Sequence, residues 1–199
     1  MGKQIEFYFD FGSPYSYLAQ SQLKKLAAGT GHSIIFMPTS VIDLMKAVGN
    51  SPTSIECKPK KQYVKADLQR WVKRYGIGWE FNPHFRHIDL SFLLRAAIAA
   101  IKLGVIADFV PKVFDGLYRQ SLNLGDATIL KDFLRNNDLP GDQIVELMNT
   151  EETFEELKAR NASALEKGLF GLPTFRVGDE IFFGNDRLPF VEASANAQA

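Results

Sequence analysis

The sequence predicts an α/β fold in which both ends of the chain build one small sheet around a large all-helical insertion. Three observations carry this. Residues 5–38 read as strand, helix, strand; from about Val41 to Lys167 the apolar spacing is almost wholly helical; after Gly168 the pattern returns to strand, strand, helix. The sheet-forming part is expected at residues 1–42 plus 168–199, and the inserted helical part at 43–167.

Taken in order, Ile5 to Phe11 is aromatic or branched with little charge, as a buried strand requires. Gly12 permits an unusual backbone angle, Ser13 is a natural N-cap, and Pro14 suits the first helical position. Tyr17, Leu18, Ser21, Leu23 and Leu26 continue at helical spacing towards Gly29 and Gly31. Ser33 to Pro38 is the second strand, and a β-α-β unit implies a parallel pair with a right-handed crossover. Val41 to Val48 is a short amphipathic helix ending at Gly49-Asn50, and Ser51 to Lys60, holding Pro52 and Pro59, reads as loop. Tyr63 to Tyr75 is helical, Gly76 to Phe85 irregular, and Leu90 to Leu103 the apolar central helix of the insertion, closed by Gly104. Ala107 to Ser121 follows, with Pro111 near its first turn; Asp126 and Pro140 open two short helices, and Thr153 to Lys167 is the last. Phe170 to Val177 is a turn entering a strand, Gly178-Asp179 a hairpin turn and Glu180 to Phe183 the returning strand. Gly184 to Val191 resembles another capped helix start, and the tail from Ala193 reads as frayed.

Composition narrows the function. With 46% hydrophobic and 23% charged residues the chain can bury a substantial core. Its 23 basic and 23 acidic residues cancel, giving no electrostatic reason for a nucleic-acid or membrane partner. The basic residues Lys65, Arg70, Lys73 and Arg74 read as a solvated helix face. No apolar run spans a bilayer, and Met1 to Phe11 lacks the features of a signal peptide, so a cytoplasmic protein is expected. Cys57 is the single cysteine and has no evident activating partner, while His84 and His87 lack the further ligands of a metal site.

The chemistry centres on Ser13. A hydroxyl at a helix start, at the carboxyl end of a strand, sits where free N–H groups and the helix dipole favour an anion. Ordinary capping accounts for the same residue, and for Asn185 and Asp186 as well; Pro173 can likewise be a simple turn proline.

The order β-α-β, helices, β-β-α with a proline before the third strand is the thioredoxin-like layout with a helical insertion. Four stretches in the right order, Ser13-Pro14-Tyr15-Ser16-Tyr17-Leu18, Met45 to Asn50, Gly171 to Phe175 and Phe183 to Leu188, resemble 2-hydroxychromene-2-carboxylate isomerases and the related kappa-class glutathione transferases. The resemblance covers nearly the whole chain and includes Asp67-Leu68-Gln69-Arg70-Trp71. Where thioredoxin-like oxidoreductases carry Cys-x-x-Cys, this chain has Ser13 and Ser16, which cannot exchange disulfides.

The resemblance implies that glutathione supplies the sulfur. Ser13 would steady its thiolate as the catalytic residue. Pro14, Tyr15, Asn50, Leu172 before a cis Pro173, Asn185 and Asp186 would hold the tripeptide. Lys46 and Phe85 would meet the substrate, with Lys61 as a further cation and Trp79, Phe81 and Tyr118 as further pocket walls. The activity implied is cis–trans isomerisation of an aromatic α,β-unsaturated oxoacid. The alternatives are a kappa-like transferase acting on electrophiles and a non-catalytic glutathione- or peptide-binding module. The stretch Thr53-Ser54-Ile55 lacks the arginine that naphthalene-pathway isomerases carry there, and the Lys46-to-Asn50 spacing is nearer the kappa class. Relatives imply a homodimer, although no patch in the sequence marks one.

Overall fold

The computed structural model describes residues 4–51 and 57–197. Strands β1 (Gln4–Phe9), β2 (Ser33–Pro38), β3 (Thr174–Val177) and β4 (Glu180–Phe183) form one mixed sheet in the order β2-β1-β3-β4. β1 and β2 run parallel, from Gln4 opposite Ser33 to Phe9 opposite Pro38. β3 is antiparallel to β1, with Phe7 opposite Phe175, and returns as β4 through the expected turn at Gly178-Asp179. The two ends of the chain therefore meet in one sheet.

Both faces of β1 are covered. Ile5, Phe7 and Phe9 are fully buried on one side, while Tyr8 on the other joins Leu44, Ala164, Leu169 and Leu172. The Phe7 ring stacks on Phe175 at 5.1 Å and on Phe9 at 5.2 Å. Each such buried ring contributes roughly 1.5–3 kcal/mol, so β1 anchors the fold.

The helices are α1 (Pro14–Gln20), α2 (Leu23–Thr30), α3 (Val41–Ala47), α4 (Lys58–Tyr75), α5 (Leu90–Lys102), α6 (Ile106–Tyr118), α7 (Ala127–Arg135), α8 (Gly141–Leu147), α9 (Glu151–Glu166) and α10 (Leu188–Ala197). None of them is long and apolar enough to cross a membrane. α5 is buried continuously from Leu93 to Ala100, as the core helix of the insertion. α6 carries that lobe onto the sheet: Phe114 meets Phe11 at 4.9 Å and Phe9 at 6.0 Å. The Tyr118 hydroxyl donates to the Phe11 carbonyl at 2.9 Å and ties the lobe to the turn after β1.

Several expectations need correction. The first helix is two. Ser21 closes α1, its hydroxyl donating to the Leu18 carbonyl at 2.6 Å in competition with the helix ladder, and α2 restarts after Gln22. Lys58 to Lys60 belong to α4, because Pro59 in the first helical turn costs no hydrogen bond. Pro111 lies in the second turn of α6, not the first, so the Ala107 carbonyl loses its in-helix donor. The tail from Ala193 continues α10 to Ala197, held by the fully buried Ala195. The stretch Thr53-Ser54-Ile55 lies outside the described residues.

Candidate active site

Ser13 occupies the N-cap of α1 with Pro14 in the first turn. Its side chain is 5% exposed and bonds twice, accepting from the Ser16 N–H at 3.2 Å and donating to the Leu172 carbonyl at 3.2 Å. The second bond spans 159 residues and joins the two halves of the pattern: Leu172 precedes a cis Pro173. The turn itself is tightly set. A Cβ on Gly12 would lie 2.4 Å from Leu90 Cδ1, so a larger residue there requires the Leu90 side chain to shift. Ser16, at the other serine position, is fully buried and its hydroxyl finds no partner among the described residues.

Beyond Pro173 the chain crosses to the far wall of a groove. Gly184 takes φ 111°, and the Asp186 carboxylate occupies the space a Cβ would need there. Asn185 is buried, its carbonyl accepting from the Tyr75 hydroxyl at 3.3 Å, whereas Asp186 is exposed and pairs with Arg187 at 2.7 Å. The groove has a volume of about 470 Å³. Tyr15, Leu172, Pro173, Asn185 and Asp186 all line it.

Its third wall comes from α4: Tyr63, Asp67 and Trp71, four residues apart on one helical face. The Asp67 carboxylate accepts from the Tyr15 hydroxyl at 3.1 Å and from Tyr63 at 3.5 Å. Burial, then the nearby Asp67 carboxylate, push the Tyr15 phenol well above its ordinary range, so it stays a neutral donor. The spacing of Tyr63, Asp67 and Trp71 was readable in the sequence as a shared face, but not the wall it forms.

Five of the expected residues do not line this groove: Ser13 and Pro14, at the start of α1 next to Tyr15, and Lys46, Asn50 and Phe85. Lys46 and Asn50 are exposed at the end of α3 and beyond it, and the Asn50 side chain accepts from the Ser51 N–H at 2.8 Å. Phe85 instead packs against Tyr118 at 5.3 Å, in a cluster with Tyr17 and Trp79 that belongs to the core; Phe81 is exposed. The Tyr118 hydroxyl is already engaged by Phe11, which makes it a support for the site rather than a wall of a pocket.

A buried hydroxyl at a helix start, a cis proline opposite it and a groove lined next to them by Tyr15, Leu172 and Pro173 give the thioredoxin-like layout without its cysteines. Residues 4–195 match the family model of the DSBA-like thioredoxin domain, and the chain belongs to that family. Within it the chain belongs with the 2-hydroxychromene-2-carboxylate isomerases: it is 34% identical over 194 residues to the one from Sphingobium xenophagum, covering 97% of this chain and 98% of that one. The solved structure of a 2-hydroxychromene-2-carboxylate isomerase superposes with a TM-score of 0.87 at 28% identity, over 98% of this chain and 95% of that one. Glutathione S-transferase kappa 2 from Caenorhabditis elegans is more distant, at 24% identity over 95% of this chain and 90% of that one.

Proposed function

We propose that the chain is a glutathione-dependent cis–trans isomerase of the 2-hydroxychromene-2-carboxylate type, acting on an aromatic α,β-unsaturated oxoacid. The observation that carries the reading is the Ser13 hydroxyl, buried at a helix N-terminus and facing the carbonyl before a cis proline. The named isomerase relatives support the reaction class, and the kappa-class relative supports the thiol.

The residues present fit the tripeptide. Leu172 precedes the cis Pro173, and its carbonyl is already held by a hydroxyl that a ligand N–H can replace. Asp186, exposed at the groove wall, offers a carboxylate to an ammonium group, and Asn185 stands beside it. Bound glutathione would supply a nucleophilic sulfur that adds reversibly to the double bond, turning it into a single bond free to rotate. Ser13 is the group that steadies the thiolate form. Its hydroxyl turns from the Leu172 carbonyl to the anion, a charge-assisted bond of about 1.5–3 kcal/mol. The α1 N-terminus adds roughly 0.3–1 kcal/mol, or up to about 2 where partly buried. Lowering a thiol from about 8.5 to about 6.5 requires about 2.7 kcal/mol, so the two together suffice without a basic side chain.

Transferase chemistry on electrophiles is the second reading, favoured by the Lys46-to-Asn50 spacing and the kappa-class relative. Turnover of a chromene carboxylate with free thiol conserved supports the isomerase; net consumption of thiol with an aryl halide supports the transferase. Absence of turnover on both, with glutathione bound, leaves a binding module. The same proposal includes a cytoplasmic homodimer, which light scattering and fractionation test.

A further inference from the structure

The mechanism so far leaves unused the most deeply buried carboxylate near Ser13. Asp10 is 1% exposed, immediately after β1. Its Oδ1 accepts from the Gly12 N–H at 2.8 Å and its Oδ2 from the Val41 N–H at 2.8 Å. Gly12 belongs to the turn that delivers Ser13, whose own N–H is bonded to the Asp10 carbonyl at 3.1 Å. Val41 opens α3, the helix that carries Lys46 and leads to Asn50. One side chain therefore joins the two loops at the carboxyl ends of β1 and β2.

We propose that Asp10 is a positioning residue that fixes the Ser13 turn against the start of α3, so that loss of its negative charge moves the Ser13 hydroxyl off its place in the site. The part concerning catalysis rests on the isomerase reading; the positioning itself does not. Two N–H groups converge on one carboxyl group, and the ionised form accepts from both as charge-assisted bonds. A proton on either oxygen removes the charge and leaves that oxygen a poor acceptor, so its N–H bond is weakened or lost. Among the described residues no cation acts on the charge. The titratable groups facing it are Asp43 on α3 and the Tyr118 phenol on α6, whose proton is given to Phe11. α1 brings no charged residue, and α5 faces the turn with Leu90. Burial raises the Asp10 carboxyl to about 6, against the downward pull of the two N–H bonds, with Asp43 adding a smaller upward push. The switch between two bonds and one thus falls just below neutrality.

The test uses the whole ¹⁵N-labelled chain without ligand between pH 5 and 8, alongside D10N, which mimics the protonated group. In the wild type the Gly12 and Val41 amide signals are expected to titrate together with one midpoint near 6, and the Ser13 amide to follow them. In D10N that transition disappears. Kinetically, kcat of D10N for a chromene carboxylate falls about tenfold or more, as small misplacements of a catalytic group do. Its glutathione affinity changes by less than about threefold, and the acid limb of the rate profile becomes shallower, with only the bound thiol left to titrate there. Separate midpoints for Gly12 and Val41, or a Ser13 amide indifferent to pH, overturn the proposal. A wild type that neither binds glutathione nor turns over would sink the functional reading, while the amide titration would still decide the role of Asp10.

Discussion

Replacing Ser13 by Ala removes three things at once, and their sizes can be separated. The N-cap bond from the Ser16 N–H is worth about 1 kcal/mol of fold stability. The bond to the Leu172 carbonyl adds about 0.5–1.5 kcal/mol. Neither prevents folding of a domain whose net stability is about 5–15 kcal/mol. The third loss falls on the bound thiolate. Without a hydroxyl donor it forfeits about 1.5–3 kcal/mol, which raises the thiol by about one to two pKa units and, from a wild-type value near 6.5, lowers the rate at pH 7 by about 4- to 40-fold. Glutathione affinity should weaken only a few-fold, because the groove beyond Leu172 is untouched. Stopped-flow absorbance of the chromene carboxylate reaction gives kcat, and calorimetry gives the affinity. Ser13→Thr, which keeps the hydroxyl, should recover most of the rate. A Ser13→Ala protein as fast as the wild type would refute the role given to this residue.

Further outcomes follow from other parts of the site. Ser16→Ala removes a buried hydroxyl without a partner among the described residues, gaining about 1–3 kcal/mol and raising Tm by roughly 2–12 °C; a lower Tm by calorimetry would mean that the hydroxyl has a partner after all. Tyr118→Phe leaves the buried Phe11 carbonyl without its donor and should cost about 1–3 kcal/mol in urea unfolding; an unchanged midpoint would show that this bond does not couple the helical lobe to the turn. Asp10 also makes stability depend on pH. Its folded value of about 6 lies above the ordinary 3.8, so the folded chain binds the proton more tightly, and this contribution is present below about pH 4 and lost as pH rises through 6. Across that window the wild type should lose about 3 kcal/mol relative to D10N; parallel stability curves would contradict it.

Much of the fold was legible because its signals are local. The Ser13-Pro14 cap, the Gly178-Asp179 hairpin and the alternation of Ile5, Phe7 and Phe9 each depend on a few neighbours in sequence. What escaped depends on distant partners or on competition. Ser21 breaks the first helix by bonding its own backbone, and helical spacing alone cannot reveal that. Pro59 and Pro111 are both helical, one at a harmless position and one where a hydrogen bond is given up. The tail from Ala193 has no strong pattern, yet Ala195 is enclosed by tertiary packing. In the site, Ser13, Leu172 and Pro173 were visible as residue types, but their convergence is a contact across 159 positions. Asp67 and Asp10 were missed as site residues because a lone acid in sequence does not show which N–H or O–H groups will be folded around it. Phe85 was assigned by residue type alone, and the core claimed it.

The central claim is that this chain lowers the proton affinity of a thiol that it does not own. Cysteinyl-labelled glutathione, titrated by carbon NMR in the presence of excess protein, measures that directly. The account predicts a bound thiol near 6.5, about two units below the free tripeptide, with most of the shift gone in Ser13→Ala. A bound thiol that titrates as it does in water, or a shift that survives loss of the hydroxyl, would contradict it.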